Sequence, residues 1–156
     1  MKIAKTAVCS ILFLLLLCSA VTGADQSAAI KKDWQVTKTI RMVGQITLMD
    51  LAGGFPMVLI DKGFASHLGV FFDVGKYTAP GEGFGMYIFS DGDQLFWEQR
   101  TSSEITFTGG TGRFKNASGS LTFTLSEGEY IPGPNGTMNY VCTYTGQGTI
   151  TYRMGR

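Results

Sequence analysis

Two long stretches, one near each end of the chain, alternate in character with a period of two. In residues 34–49, WQVTKTIRMVGQITLM, one parity carries Trp34, Val36, Ile40, Met42, Ile46 and Leu48, with Lys38 and Gly44 among them. The other parity carries Gln35, Thr37, Thr39, Arg41, Gln45 and Thr47, broken by Val43 and Met49. Successive side chains of a strand point to opposite faces, so this pattern requires a strand with one buried side. It is longer than an ordinary strand, and Gly44 at its centre is the expected place for a bend or bulge. Residues 139–153, NYVCTYTGQGTITYR, behave alike. Tyr140, Cys142, Tyr144, Ile150 and Tyr152 share the apolar parity, and Thr143, Thr145, Gln147, Thr149, Thr151 and Arg153 share the polar one. Gly146 and Gly148 relieve crowding in its middle. On this pattern Cys142 is a small buried hydrophobe rather than a reactive thiol.

Shorter strands are expected between these two, near Met57–Asp61, Ser66–Val74, Gly83–Ser90, Gln94–Arg100, Glu104–Thr108 and Ser120–Ser126. Turn signals separate them: Leu51-Ala52-Gly53-Gly54, Pro80-Gly81, Asp91-Gly92-Asp93 and Pro132-Gly133-Pro134-Asn135-Gly136. No amphipathic helix of ordinary length is expected after residue 24, although Ala28–Asp33 has room for one helical turn. With 21 glycines and only 16% charged residues, the chain reads as all-β. About eight antiparallel strands permit a sandwich or a barrel. The two long terminal strands favour the barrel, because pairing them removes both sheet edges. The expected fold is an eight-stranded antiparallel β-barrel, with an interior just wide enough for side chains or one small ligand.

The chain opens MKIAKTAVCSILFLLLLCSAVTGADQ, a basic start, a short apolar core and small residues, which is the order of a secretory signal peptide. Cleavage is expected after Ala24, giving a 1–24 leader and a single 25–156 domain that is secreted or periplasmic. The apolar core is too short for a membrane span, so no stable span is expected after cleavage. Leu17 is too bulky for Cys18 to sit at a lipoprotein processing site. Removing the leader leaves Cys142 as the one cysteine, so no internal disulfide framework is expected. A net charge of +1 with scattered Lys and Arg excludes the basic stripe of a nucleic-acid binder. Asn116-Ala117-Ser118 and Asn135-Gly136-Thr137 are N-glycosylation acceptors if the host uses the eukaryotic secretory route.

Residues 109–119, GGTGRFKNASG, raise the question of a phosphate cradle. A dinucleotide loop requires G-x-G-x-x-G opening a helix, but Lys115 stands at the third glycine position and a strand pattern follows. A Walker loop requires a Lys-Ser/Thr pair opening a helix, and there is none. The glycines therefore read as a sharp turn, with Phe114 turned inward as a plug. The pattern G-G-T-G-x-F-x-x-A-x-G resembles the signature of the allene oxide cyclase and dirigent barrels of plants and of related exported bacterial proteins. Ser66-His67-Leu68-Gly69 and Asp91-Gly92-Asp93-Gln94-Leu95-Phe96 resemble two further segments of the bacterial set. The resemblance spans Gln35 to Tyr152 and implies an eight-stranded antiparallel barrel that encloses an apolar substrate without a metal or other cofactor. It also implies a homo-oligomer, a trimer, of the kind plant relatives form.

Polar candidates for a site are few. His67 is the one histidine, and both parities around it are partly apolar. With no second histidine and no cysteine cluster, a zinc site is not expected. Glu98 shares a face with Phe96, while Trp97 faces the other way with Leu95. If Phe96 points inward, Glu98 becomes a buried acid or base; if Trp97 does, Glu98 is solvated, and the second arrangement is the simpler one. Glu98 and His67 are the catalytic candidates. Trp97, Phe96, Lys38 and Tyr144 are the candidate ligand contacts, with Lys38 expected at the barrel rim. Asp91 and Asp93 form a turn and fall short of a calcium loop. The leading functional expectation is an exported, non-catalytic barrel binding a small apolar ligand or a protein partner. A cyclase- or isomerase-type enzyme and a structural envelope protein are the alternatives.

Overall fold

The computed structural model describes residues 34–50 and 53–154; the leader and the helical turn expected over Ala28–Asp33 lie outside them. The strands are β1 (Trp34–Asp50), β2 (Met57–Ala65), β3 (Gly69–Ala79), β4 (Glu82–Phe89), β5 (Gln94–Thr101), β6 (Glu104–Gly110), β7 (Ser118–Leu125), β8 (Glu129–Pro132) and β9 (Met138–Met154). Every adjacent pairing is antiparallel, and β1 pairs with β9 from Trp34↔Met154 to Met49↔Asn139. The result is a closed eight-strand antiparallel barrel with one extra strand, β8, attached to the first residues of β9. The long alternating ends of the chain are what close it. The expectation of a strand beginning at Ser66 is corrected: β3 starts at Gly69, because Ser66–Leu68 forms the turn after β2, with His67 at a φ of 66°. Gly44 is not a bulge either, since pairing on both sides of β1 runs through it without a shift.

One end of the barrel is sealed by the glycine-rich turn. Phe114 is fully buried, its ring 5.1 Å from Phe89 and 5.6 Å from Tyr152. The Arg113 guanidinium lies 4.7 Å over the Phe114 ring, a cation–π cap on the plug. Arg113 is held in turn by the Asp91-Gly92-Asp93 hairpin. Its Nη1 is 3.3 Å from Asp91, and its backbone N–H donates to Asp93 Oδ2 at 3.2 Å. Gly112 is required at this joint: its φ is +51°, and a Cβ there would collide with the Asp93 carboxylate. The two motifs that stand far apart in sequence are thus a single clasp. Phe114 belongs to one buried core with Ile40, Met42, Phe71, Leu95 and Ile150. Among the described residues no helix is long and apolar enough to cross a membrane.

Candidate functional site

Among the described residues nothing closes the other end of the barrel. A cavity of about 180 Å³ lies in this mouth, walled by Ile46, Leu48, Met57, Leu59, Phe123 and Leu125, with Phe55 and Cys142 also lining it. Below it a second, water-sized chamber of about 20 Å³ shares Ile46, Leu59, Tyr77, Gln99 and Phe123 with the mouth. The polar side chains at the chamber are Asp61, Asp73, Tyr77, Tyr87, Trp97, Gln99 and Tyr144. An apolar funnel therefore ends on a cluster of hydrogen-bonding groups at mid-height in the barrel.

Backbone register places the two carboxyl groups. Asp61 of β2 and Asp73 of β3 are direct cross-strand partners and share the inward face with Leu59 and Phe71. Each is 2% exposed. Tyr144 donates its hydroxyl hydrogen to Asp61 Oδ2 at 2.8 Å, and Trp97 Nε1 donates to Asp73 Oδ1 at 2.9 Å. Tyr77 donates to Gln99 Oε1 at 2.6 Å, and Gln99 Nε2 donates to the Thr101 carbonyl at 2.7 Å, so Gln99 is fixed by both ends of its amide. Among the described residues, Asp61 Oδ1 has no hydrogen-bond partner. A buried polar atom with no protein partner beside a chamber of this size is where a water or a ligand oxygen belongs.

Space for these bulky groups comes from inward-facing positions that carry no side chain. A Cβ on Gly44 would lie 2.6 Å from both Asp61 Oδ1 and Tyr144 Cε1. Gly75 and Gly85 are cross-strand partners on β3 and β4, and a Cβ on either would meet Trp97 Cζ2, at 2.7 and 2.6 Å respectively. The indole lies against this bare patch of wall and reaches Asp73 from β5.

Burial controls the electrostatics. It pushes the Asp61 carboxyl up to about 6, while the Tyr144 hydrogen bond pulls the other way. Asp73 is held well above the usual carboxylate range, first by burial and then by the Asp61 charge, against the Trp97 hydrogen bond. Two carboxylates directly opposed in low dielectric cannot both ionise cheaply, so the pair retains a proton near neutral pH. Burial likewise raises the phenols of Tyr77, Tyr87 and Tyr144, which stay neutral donors. Burial and then the Asp61 charge raise the Cys142 thiol, which leaves it a weak nucleophile.

Of the residues singled out in the sequence, Trp97 and Tyr144 stand in this cluster. Glu98 and Phe96 face outward on β5, and Glu98 pairs at 3.1 Å with the exposed Arg100. His67 is exposed on the β2–β3 turn, and Lys38 is exposed on β1 away from the cluster. The carboxylates that do line the chamber, Asp61 and Asp73, were not among the candidates. Their signal is parity: each is an acid on the inward register of a strand whose neighbours two residues away are Leu59 and Phe71. Among the described residues no group of three His, Cys, Asp or Glu side chains could hold a metal ion.

No family model matches the sequence, and no curated protein matches it. Among solved structures the chain is similar to the pterocarpan synthase dirigent protein GePTS1, at 14% identity and a TM-score of 0.47, over 80% of this chain and 96% of that one. It is also similar to the pterocarpan synthase dirigent protein PsPTS1, at 12% identity and a TM-score of 0.45, over 79% of this chain and 97% of that one.

Proposed function

We propose that this chain is an exported barrel that binds a small, mostly apolar molecule through its open mouth. The bound molecule sets a hydrogen-bond-accepting oxygen against the Asp61–Asp73 pair. The observation that carries this reading is an apolar mouth that shares Ile46, Leu59, Tyr77, Gln99 and Phe123 with the small chamber below it, where Asp61 Oδ1 is buried with no hydrogen-bond partner among the described residues. A cavity of roughly 150 Å³ lined by aliphatic side chains takes up benzene, so about 180 Å³ in the mouth suits one substituted ring. An orienting role needs nothing more than this shape and one polar anchor.

A second reading is favoured by one further observation. The Asp61 carboxyl, lifted to about 6, is poised to give up a proton near neutral pH. A substrate oxygen held there would be protonated as its bonds rearrange, which is isomerase- or cyclase-type acid catalysis without a metal. The carboxyl pair, rather than Glu98 and His67, is the acid in this reading.

Acetophenone and ethylbenzene test the binding claim by isothermal titration calorimetry, since they match in shape and differ in the carbonyl. At pH 5, below the Asp61 midpoint of about 6, acetophenone is expected to bind more tightly by about tenfold, the worth of one hydrogen bond to a buried donor. Leu59→Trp, which fills the junction of mouth and chamber, is expected to abolish binding of both. Equal affinity for the two probes would remove the polar anchor, and unchanged binding to Leu59→Trp would remove the mouth as the site.

A further inference from the structure

The barrel wall is not uniform on its outside. The outward positions of β6, β7 and β9 are largely Thr, Ser and Gln: Thr106, Thr122, Thr124, Thr145, Gln147 and Thr149. The outward positions of β2 to β5 instead mix large apolar side chains with Lys62, Lys76, Glu82, Gln94, Glu98 and Arg100, and the apolar ones line up across strands. One row is Ile60–Val74–Met86–Phe96. Beside it Phe72 and Ile88 are partners, and Phe64 and Val70 are partners. Phe64, Val70, Phe72 and Phe84 are 50, 63, 44 and 54% exposed, far more than isolated surface apolars would require. A groove runs between Phe84 and Phe96, and its floor is the side-chain-free wall at Gly75 and Gly85, behind Trp97.

The charges beside this groove specify what covers it. Lys76 on β3, Phe84 on β4 and Glu98 on β5 form one row, in that order. Lys76 is exposed, and the Glu98 side chain is 46% exposed. A two-fold axis in the plane of the face, running along β4, exchanges β3 of one copy with β5 of the other. It lays Phe84 on Phe84 and Met86 on Met86, Val74 on Phe96, and Lys76 on Glu98 twice over. The row is therefore complementary to itself under that one operation, as an isologous contact demands.

We propose that the outer face of β3, β4 and β5 is a homodimer interface, with a second copy of this chain related by a two-fold axis along β4. The contact covers the apolar side chains of β3 to β5, backs the thin wall behind Trp97 and leaves the barrel mouth uncovered. Its hydrophobic centre supplies the attraction, and the paired Lys76 and Glu98 set the register.

Sedimentation velocity on the purified protein tests this with substitutions confined to exposed side chains. The wild type is expected to sediment as a dimer. Phe84→Lys is expected to be monomeric, with unchanged far-ultraviolet circular dichroism. Lys76→Glu and Glu98→Lys each put like charges together twice and are expected to weaken the dimer by about tenfold or more. The double variant Lys76→Glu/Glu98→Lys is expected to recover it, and an equimolar mixture of the two single variants is expected to form heterodimers. A monomeric wild type, a trimer, a dimer indifferent to Phe84→Lys, or a charge swap that fails to rescue would each overturn the proposal. A monomer that instead floats with lipid vesicles would assign the face to a membrane surface.

Discussion

Asp61 and Asp73 oppose one another across β2 and β3 with their carboxyl groups out of water, an arrangement that works against folding whenever both are charged. The folded state holds the Asp61 proton up to about 6, whereas the unfolded chain releases it near 3.8. Between those values the native state binds more protons than the unfolded one, so stability falls as pH rises through that window. Two units correspond to about 3 kcal/mol at neutral pH. Asp73, raised further, extends the same trend above it. Asp61→Asn keeps an acceptor for the Tyr144 hydroxyl and cannot ionise. It is expected to melt higher than wild type at pH 8, by an amount that shrinks toward pH 4, as read by scanning calorimetry. A variant less stable at every pH would mean that the ionised carboxylate is satisfied in the native barrel. Gly44 supports this pair by its missing side chain. Gly44→Ala forces Asp61 or Tyr144 aside and is expected to cost about 1–3 kcal/mol in urea denaturation.

Strands β3, β4 and β5 carry two jobs on two faces, and glycine is what reconciles them. Inward, Gly75 and Gly85 admit the indole of Trp97, which spans them to reach Asp73. Gly85→Ala places a methyl group against Trp97 and the Val74 carbonyl. The expected outcome is a loss of about 1–3 kcal/mol together with a shift in Trp97 emission as the indole leaves Asp73. A stable variant with unaltered emission would mean that the wall has slack. At this scale the alternation of β1 and β9 was readable, because a period of two admits few other structures, and it carried the closure of the barrel. The face of β5 was ambiguous in sequence, since Phe96 and Trp97 are both apolar; only their pairing with β4 separates them. The acids were hidden for a related reason. A carboxylate interrupts an apolar pattern, so Asp61 read as the end of a strand that in fact runs on to Ala65. What made it interior is the register with β1 and β3, a long-range property. β8 gave no alternation to read, being four residues long and exposed throughout.

The described barrel is a cup, closed at one end by Phe114 and its Arg113 cap and open at the other. Removing the plug should loosen the cup without touching its contents. Phe114→Ala is expected to lower stability by about 3–5 kcal/mol while acetophenone affinity of the folded protein stays within about twofold of wild type. The glycine motif belongs to this closed end and stands at the opposite end from the mouth. The central claim is that the open end leads to a protonated carboxyl pair that receives a ligand oxygen. Carboxyl ¹³C NMR of the aspartate-labelled protein, titrated with and without saturating acetophenone, tests it most directly. The account predicts a free Asp61 midpoint near 6 that moves upward when the ketone is bound, because an acceptor stabilises the protonated acid, with no movement under ethylbenzene. A midpoint near 4 that ignores both ligands would contradict it.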